Sequence, residues 1–494
     1  MGFHPGDQWL LSDMRGGLAI LLPKRIPYII PGRGRVGLRG YSDHKRHGID
    51  VISDVSVYPM RAAFFIADAD VIREVSAARN RYPKPIEMYG VLAFYGPNIV
   101  VSEAEEWKRY RKIANPGFSE RNNRLVWEET QRTVLELFNE EWRGQDVVVD
   151  EDVLLTTVSI ALFIISCAGF GQRISWKEEG LHSAGSEFSF KETMYHVSTH
   201  IVTKAITPGW LLKLDLTSKL RTTRVAFELM EKYMLEMVQK RKNAEMKVER
   251  HDLLSGLIAA SDEEFSGFAK LTDMEVISNI FIFLIAGHET TAHTLAFAFI
   301  LLALYPEEQK KLNEQCKSVL GDDDIPKYEN MNAYTYAMAV FFETLRLFPP
   351  ATAVPKVASE DSVLYTTNAA GEKVPVVVPK GADLLFHLPG LHQNPKYWEN
   401  PTEFQPSRFM KPDWPRDAFM PFSGGARSCI GRRFSEVEAV AVLTLYSLKY
   451  EIEVKVEPQF EHESFEERKA RLLSWKPLLT LTPGKVPLIF RRRK

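Results

Sequence analysis

The chain has 494 residues, 45% of them hydrophobic and 26% charged, which describes a globular protein with a sizeable core. Lys and Arg number 62 against 64 Asp and Glu, a net charge of −2, so composition gives a nucleic-acid partner no support. The three cysteines, Cys167, Cys316 and Cys429, are too few and too scattered for a disulfide framework or a tetrahedral zinc site, and point to a reducing compartment.

Residues 1–34 read as a segment of their own at a membrane surface, either the remainder of an anchored segment or one attached peripherally. Its apolar run Gly17-Leu-Ala-Ile-Leu-Leu22 stops at Pro23, well short of the about 20 apolar residues that span a bilayer. It also lacks the small-residue cleavage site of a signal peptide. No Pro/Ser/Gly linker interrupts 35–494, so this stretch is expected to form one large domain, mainly α with smaller β-sheets. A strand-like opening over 35–67 includes Arg61-Ala-Ala-Phe-Phe-Ile66 and precedes a helix over 68–77. From about 102 to 350 helical periodicity dominates. The stretch 353–390 turns strand-like again around Val374-Pro-Val-Val-Val378, with a turn at Gly381. One helix from about 433 and a strand-like tail ending in Leu488-Ile-Phe490 complete the chain.

Five short patterns carry chemistry. Trp107-Lys-Arg-Tyr-Arg111 lies on a basic helical stretch; alone it is a packed indole and an exposed guanidinium. Thr272-Asp-Met-Glu275 is a capping box opening a helix that Pro306 ends, about 50 Å of chain at 1.5 Å per residue. The apolar middle of that helix breaks into Ala286-Gly-His-Glu-Thr-Thr291. A polar island argues against a membrane span, and a buried helix would not keep Glu289 and Thr290 without a task or a partner. The bland alternative is threonines bonded back to the preceding turn. Glu343 and Arg346 are i,i+3 neighbours flanked by Phe341, Phe342, Leu345, Leu347 and Phe348, which implies a buried pair. Finally, Phe422-Ser-Gly-Gly425-Ala-Arg427-Ser-Cys429-Ile-Gly431 places one cysteine in a glycine-rich loop before a helix. Backbone N–H groups there favour a thiolate, a good ligand for a soft metal, and the glycines give a flat cofactor room.

That last pattern, F-x-x-G-x-R-x-C-x-G, matches the haem-ligand loop of the cytochrome P-450 monooxygenases. The order Trp107, 286–291, Glu343/Arg346, Arg408, Cys429 is similar to the family's over about residues 45–490, and details look most like fungal microsomal members. The resemblance implies the cytochrome P-450 fold, with the haem between the long helix and the cysteine loop. It implies haem b (iron protoporphyrin IX) ligated by Cys429 and set in its loop by Phe422 and Gly431. Arg427, Trp107 and Arg111 would bind the propionates. Lys356 stands where many relatives have another propionate arginine, and His392 is either a propionate neighbour or a structural histidine. Thr290 and Glu289 would serve oxygen activation and proton supply. Glu343, Arg346 and Arg408 would form a structural network.

The implied reaction inserts one oxygen atom of O2 into a lipophilic substrate. Phe283, Ala286, Ala353, Val354, Leu478, Leu479 and the 89–94 region would line the pocket, and 206–212 is either a membrane-dipping lip or a buried helix–loop junction. No dinucleotide fingerprint is present, so electrons would come from a separate NADPH-cytochrome P-450 reductase, with cytochrome b5 as a second donor. Lys108, Arg109, Lys112, Arg432 and Arg433 are candidates for its docking. The expected location is the cytosolic face of the endoplasmic reticulum membrane. The rival reading is a haem-thiolate enzyme that rearranges peroxides without a reductase, which has no need of Thr290.

Overall fold

The computed structural model describes residues 4–11, 26, 28–30, 40–177, 186–243, 252–262 and 269–494. The apolar run at 17–22 lies outside them, as does 35–39 of the expected strand-rich opening. The chain divides into two compact units, Met1–Tyr89 with Phe342–Cys429, and Gly90–Phe341 with Ile430–Lys494.

The first unit is built on a five-stranded sheet in the order Gly6–Leu11, Val51–Tyr58, Arg61–Ile66, Asp383–His387, Ala353–Val357. Strand Arg61–Ile66 pairs antiparallel with Val51–Tyr58 and parallel with Asp383–His387, so chain segments more than 300 residues apart share one ladder. Ile49, Ile52, Ala63, Phe65 and Leu385 form an apolar cluster on it. Helix Ala69–Ala77 follows, with the Asp68 carboxylate accepting from the Asp70 and Val71 N–H groups as its N-cap. A two-stranded ribbon, Ser362–Thr367 with Lys373–Val378, completes the β-structure of this unit. The strand Gly6–Leu11, inside the N-terminal segment set apart by sequence, pairs parallel with Val51–Tyr58 and so belongs to this sheet.

The second unit is mostly helical. Its axis is the helix Asp273–Leu304, 32 residues long, with Thr272 and Glu275 forming the expected capping box. Helix Val153–Phe170 packs along it, helices Phe190–Ile206 and Ser218–Lys242 pack on each other, and Arg432–Lys449 packs on Glu120–Glu136. Val153–Phe170 and Asp273–Leu304 are apolar and long enough to cross a bilayer, but about four-fifths of each apolar window is buried inside the protein (78% and 83%). They are core helices. Strands Val147–Asp150, Leu488–Arg492 and Tyr450–Val454 form an antiparallel sheet, and Trp475–Pro477 pairs with Leu481–Pro483 in a hairpin.

Candidate active site

In the first unit the cysteine loop is closed by the Cys429 N–H, which donates to the Phe422 carbonyl at 2.9 Å, and contains a 3-10 turn at Gly425–Arg427. Gly425 sits at φ +67°, where a Cβ would stand 3.3 Å from the Ser76 carbonyl; a Cβ on Gly424 would meet Met420 Cε at 2.7 Å. Met420 Cε is the end of a flexible side chain that can give way, so it is Gly425, by its positive φ and its approach to Ser76, that requires glycine here.

The thiol itself fits a cofactor ligand. Cys167 and Cys316 are buried, and burial pushes their thiols up to about 11 and about 12, whereas Cys429 is exposed. Helix Arg432–Lys449, beginning three residues later, has no side-chain N-cap, so its first N–H groups keep their partial positive charge. Among the described residues no group of three or more His, Cys, Asp or Glu could hold a metal ion. A single-thiolate centre such as haem needs no such cluster.

Next to this loop runs the predicted ionic network, and it is complete. Arg346 Nε and Nη2 donate to the two oxygens of Glu343 at 2.7 and 2.8 Å. The remaining Arg346 donors reach the carbonyls of His392, Pro401 and Glu403 at 2.7, 2.6 and 3.1 Å. Arg408 Nε and the Gln405 N–H also bind Glu343 Oε1, at 3.1 and 2.9 Å. Glu343 and Arg346 are wholly buried, and such a pair is tolerable only because every polar atom has a partner.

Of the two roles open to His392, propionate neighbour or structural histidine, its hydrogen bonds favour the second. Its Nε2 accepts from the Met420 N–H at 3.0 Å and its Nδ1 lies 3.2 Å from the Arg346 carbonyl, which can only accept. The ring is therefore the neutral Nδ1–H tautomer with both nitrogens engaged. Burial and the Arg346 charge lower it to about 3. It is a structural histidine that ties the arginine's helix to the segment before the cysteine loop. Lys356 is buried in strand Ala353–Val357, whose Ala353 and Val354 are half-buried; Arg427 is half-buried on its turn.

In the second unit Trp107 and Arg111 stand one turn apart on helix Ala104–Ala114, the indole buried and the guanidinium half-buried. Lys108 and Arg432 are exposed, held by Glu105 and Glu436. Arg109 is not available for docking: its side chain is mostly buried and paired with Glu275, which also accepts from the Tyr110 hydroxyl at 2.6 Å.

The long helix is buried along almost its whole length. The break comes at Ala286, which is exposed, with Gly287 and Thr290 half-exposed. These positions, one and four residues apart, lie on one face, an opening lined by small side chains. Phe283 is buried one turn earlier, its ring 6.0 Å from Phe118. The Thr290 hydroxyl donates back to the Ala286 carbonyl at 2.9 Å, the bland alternative weighed above, and its oxygen still has a lone pair to offer. Thr291 points elsewhere, buried, with its hydroxyl 3.1 Å from Ser435 Oγ.

Glu289 is the unusual group. It is buried, and burial raises its carboxyl to about 7 against the opposing hydrogen bond from Thr480. The Thr480 hydroxyl donates to Glu289 Oε1 at 2.7 Å, and Oε2 has no hydrogen-bond partner among the described residues. Thr480 Oγ1 also lies 2.8 Å from Nδ1 of His293, a buried ring that burial lowers to about 3. Thr480 occupies the hairpin turn with Leu478, exposed, and Leu479, half-exposed. Sequence reasoning passed over Thr480 because its partner is 191 residues away.

An exposed thiol in a Gly-x-Arg-x-Cys loop, a buried Glu-Arg-Arg network and a buried acid near a half-open threonine on a long helix are the features in which this chain can be compared with known proteins. The family model for cytochrome P450 matches residues 55–479, and the chain belongs to that family. It is 52% identical over 490 residues to cytochrome P450 monooxygenase 124 of Postia placenta, covering 99% of this chain and 94% of that protein. It is 28% identical to cytochrome P450 4A10 of Rattus norvegicus over 79% of this chain and 76% of that one. In fold it is similar to the cytochrome P450DA heme domain, with a TM-score of 0.76, 23% identity and 98% of each chain covered. The chain is therefore a cytochrome P450 monooxygenase, an oxidoreductase of a haem-dependent family.

Proposed function

We propose that Cys429 is the thiolate ligand of haem b and that the chain's catalytic domain, residues 35–494 joined by strand Gly6–Leu11, hydroxylates a lipophilic small molecule. The observation that carries the ligand assignment is the exposure of Cys429 against two buried, inert cysteines. When bound, the haem supplies reductive activation of O2 and oxygen insertion, with thiolate donation favouring O–O cleavage. The chain's own residues do the rest. Arg427, Trp107 and Arg111 offer the donors that propionates need, and Lys356 adds a point charge. Ala286 leaves room at the half-open face of the long helix. Thr290 offers its hydroxyl oxygen there, and Glu289, close to half-protonated at neutral pH, holds and releases protons.

A lipophilic substrate is supported by the apolar groups at Phe283, Ala353, Val354, Leu478 and Leu479. Trp210 (67% exposed), Ile206, Leu214 and Leu216 are exposed apolar side chains in one short stretch, and this supports contact with a membrane. Electrons come from NADPH-cytochrome P-450 reductase, with cytochrome b5 as a second donor, at the cytosolic face of the endoplasmic reticulum. Lys108, Lys112, Arg432 and Arg433 remain the candidate contacts.

The test is spectroscopic. Reduced protein under carbon monoxide should give the Soret band of thiolate-ligated haem, and Cys429→Ala should lose it while Cys167→Ser and Cys316→Ser keep it. An unchanged spectrum in Cys429→Ala would sink the assignment. Turnover with peroxide and none with NADPH plus reductase would favour the peroxide-rearranging class instead.

A further inference from the structure

We propose that Thr480 and His293 are positioning residues for Glu289, gripping one oxygen of its carboxyl and leaving the other as the oxygen that takes up and gives away the proton. The inference rests on Glu289 being the proton-supplying acid of the reaction, as proposed above.

Glu289 and His293 are four residues apart on the long helix, so both side chains leave one face, a turn apart. The turn of the hairpin Trp475–Pro477/Leu481–Pro483 sets Thr480 between them, 2.7 Å from Glu289 Oε1 and 2.8 Å from His293 Nδ1. A hydroxyl has one proton to give. Since that proton goes to Glu289 Oε1, Nδ1 must donate to Thr480 Oγ1, which fixes His293 as the Nδ1–H tautomer. The chain of donors then runs one way, from imidazole to hydroxyl to carboxyl.

Every member is buried or half-buried, so water does not compete freely for these bonds, and rotation of the hydroxyl would strand a buried donor. Because Oε1 is occupied and Oε2 has no partner among the described residues, a proton on the carboxyl settles on Oε2. The grip also tunes the acid. Burial alone disfavours the carboxylate; the Thr480 hydroxyl, and after it the Thr480 backbone, oppose burial and hold the group at about 7. No ionised group on the elements packed against the long helix, whether the Val153–Phe170, Phe190–Ile206, Ser218–Lys242, Leu253–Asp262, Pro306–Leu320 or Arg432–Lys449 helices, strand Tyr450–Val454 or the hairpin, acts on Glu289. On the helix itself, His288 and His293 are held neutral by burial, at about 4 and about 3.

The experiment uses the haem-loaded protein and two readouts. The first is the infrared C=O band of the Glu289 carboxylic acid, identified by its loss in Glu289→Gln and titrated through the neutral pH range. The midpoint should rise by about one pH unit or more in Thr480→Val, since a hydrogen bond to the charged form is lost, and should return to the wild-type value in Thr480→Ser. His293→Phe, which frees the hydroxyl to turn, should shift it in the same direction by less. The second readout is the ratio of product to released peroxide against pH. In Thr480→Val its alkaline limb should move upward with the midpoint, a change that a packing defect would not produce.

A midpoint in Thr480→Val equal to that of Thr480→Ser would overturn the positioning role. If Glu289→Gln leaves product and peroxide unchanged, Glu289 is not the proton source. The infrared titration would still decide whether Thr480 and His293 set its protonation.

Discussion

Replacing Arg346 by alanine tests the ionic network at its centre. The side chain makes five hydrogen bonds, two to Glu343 and one each to the carbonyls of His392, Pro401 and Glu403. In Arg346→Ala, Glu343 keeps Arg408 and the Gln405 N–H on Oε1 but is left with Oε2 bare in a fully buried site. Three carbonyls lose a donor as well. Breaking a buried pair from one side costs about 3–5 kcal/mol, and the orphaned carbonyls place the expected loss toward the upper end.

The size of the thermal shift depends on what melts together. With an unfolding entropy of about 2.1 cal/mol/K per residue, a loss of about 4 kcal/mol lowers Tm by about 4 °C if the whole chain unfolds as one. It lowers Tm by about 11 °C if only the roughly 180 residues of the first unit do. Circular dichroism melting and the haem-to-protein ratio of the purified variant are the measurements. Haem loading should fall, because the segment carrying Arg408 leads into the cysteine loop. The double variant Glu343→Leu/Arg346→Met should not recover the loss, since it leaves the three carbonyls without a donor and the largely buried Arg408 without its carboxylate. An Arg346→Ala protein that melts within about 1 °C of wild type with full haem would refute the reasoning.

Two further outcomes follow from the long helix. Glu289 is raised from 4.5 to about 7, so between those values the folded protein binds the extra proton and stability falls as pH rises, by up to about 1.4 kcal/mol per pH unit. Glu289→Gln should therefore gain stability over wild type at pH above 7 and little near pH 5, read as the difference in Tm between the two proteins. Subtraction cancels the opposite slope from His293, which gains stability as pH rises from about 3 to 6.5. A difference in Tm that does not change with pH would contradict the raised carboxyl. Thr290→Ala should consume NADPH with reductase but release more peroxide and less product. Thr291→Ala, whose hydroxyl faces Ser435, should stay near wild type. Equal peroxide release from all three proteins would remove Thr290 from the oxygen chemistry.

Much of this was legible in the chain because the signals were local. The capping box at Thr272 and Pro306 bounded the long helix within a residue of its observed ends. The apolar neighbours of Glu343 and Arg346 foretold their burial. What was missed depends on distant partners. Strand Val147–Asp150 is four residues in a helical context, and pairs with Leu488–Arg492 from the far end of the chain. His392 was left open between two roles, and only the Arg346 carbonyl and Met420 N–H closed the question. Helix Phe465–Leu472 could have been found, since Ser464 and Glu467 form a capping box.

The guanidinium of Arg346 has a consequence for how the protein comes apart. Residues 399–408 have no sheet ladder, yet the carbonyls of Glu399, Asn400, Pro401 and Glu403 all end on two arginines that share one carboxylate. No single bond there can open to advantage while the others hold. The stretch therefore behaves as a latch rather than as a loop, closed or released as a piece, and the amides that donate within it, those of Glu403, Gln405 and Arg408, should exchange with solvent together.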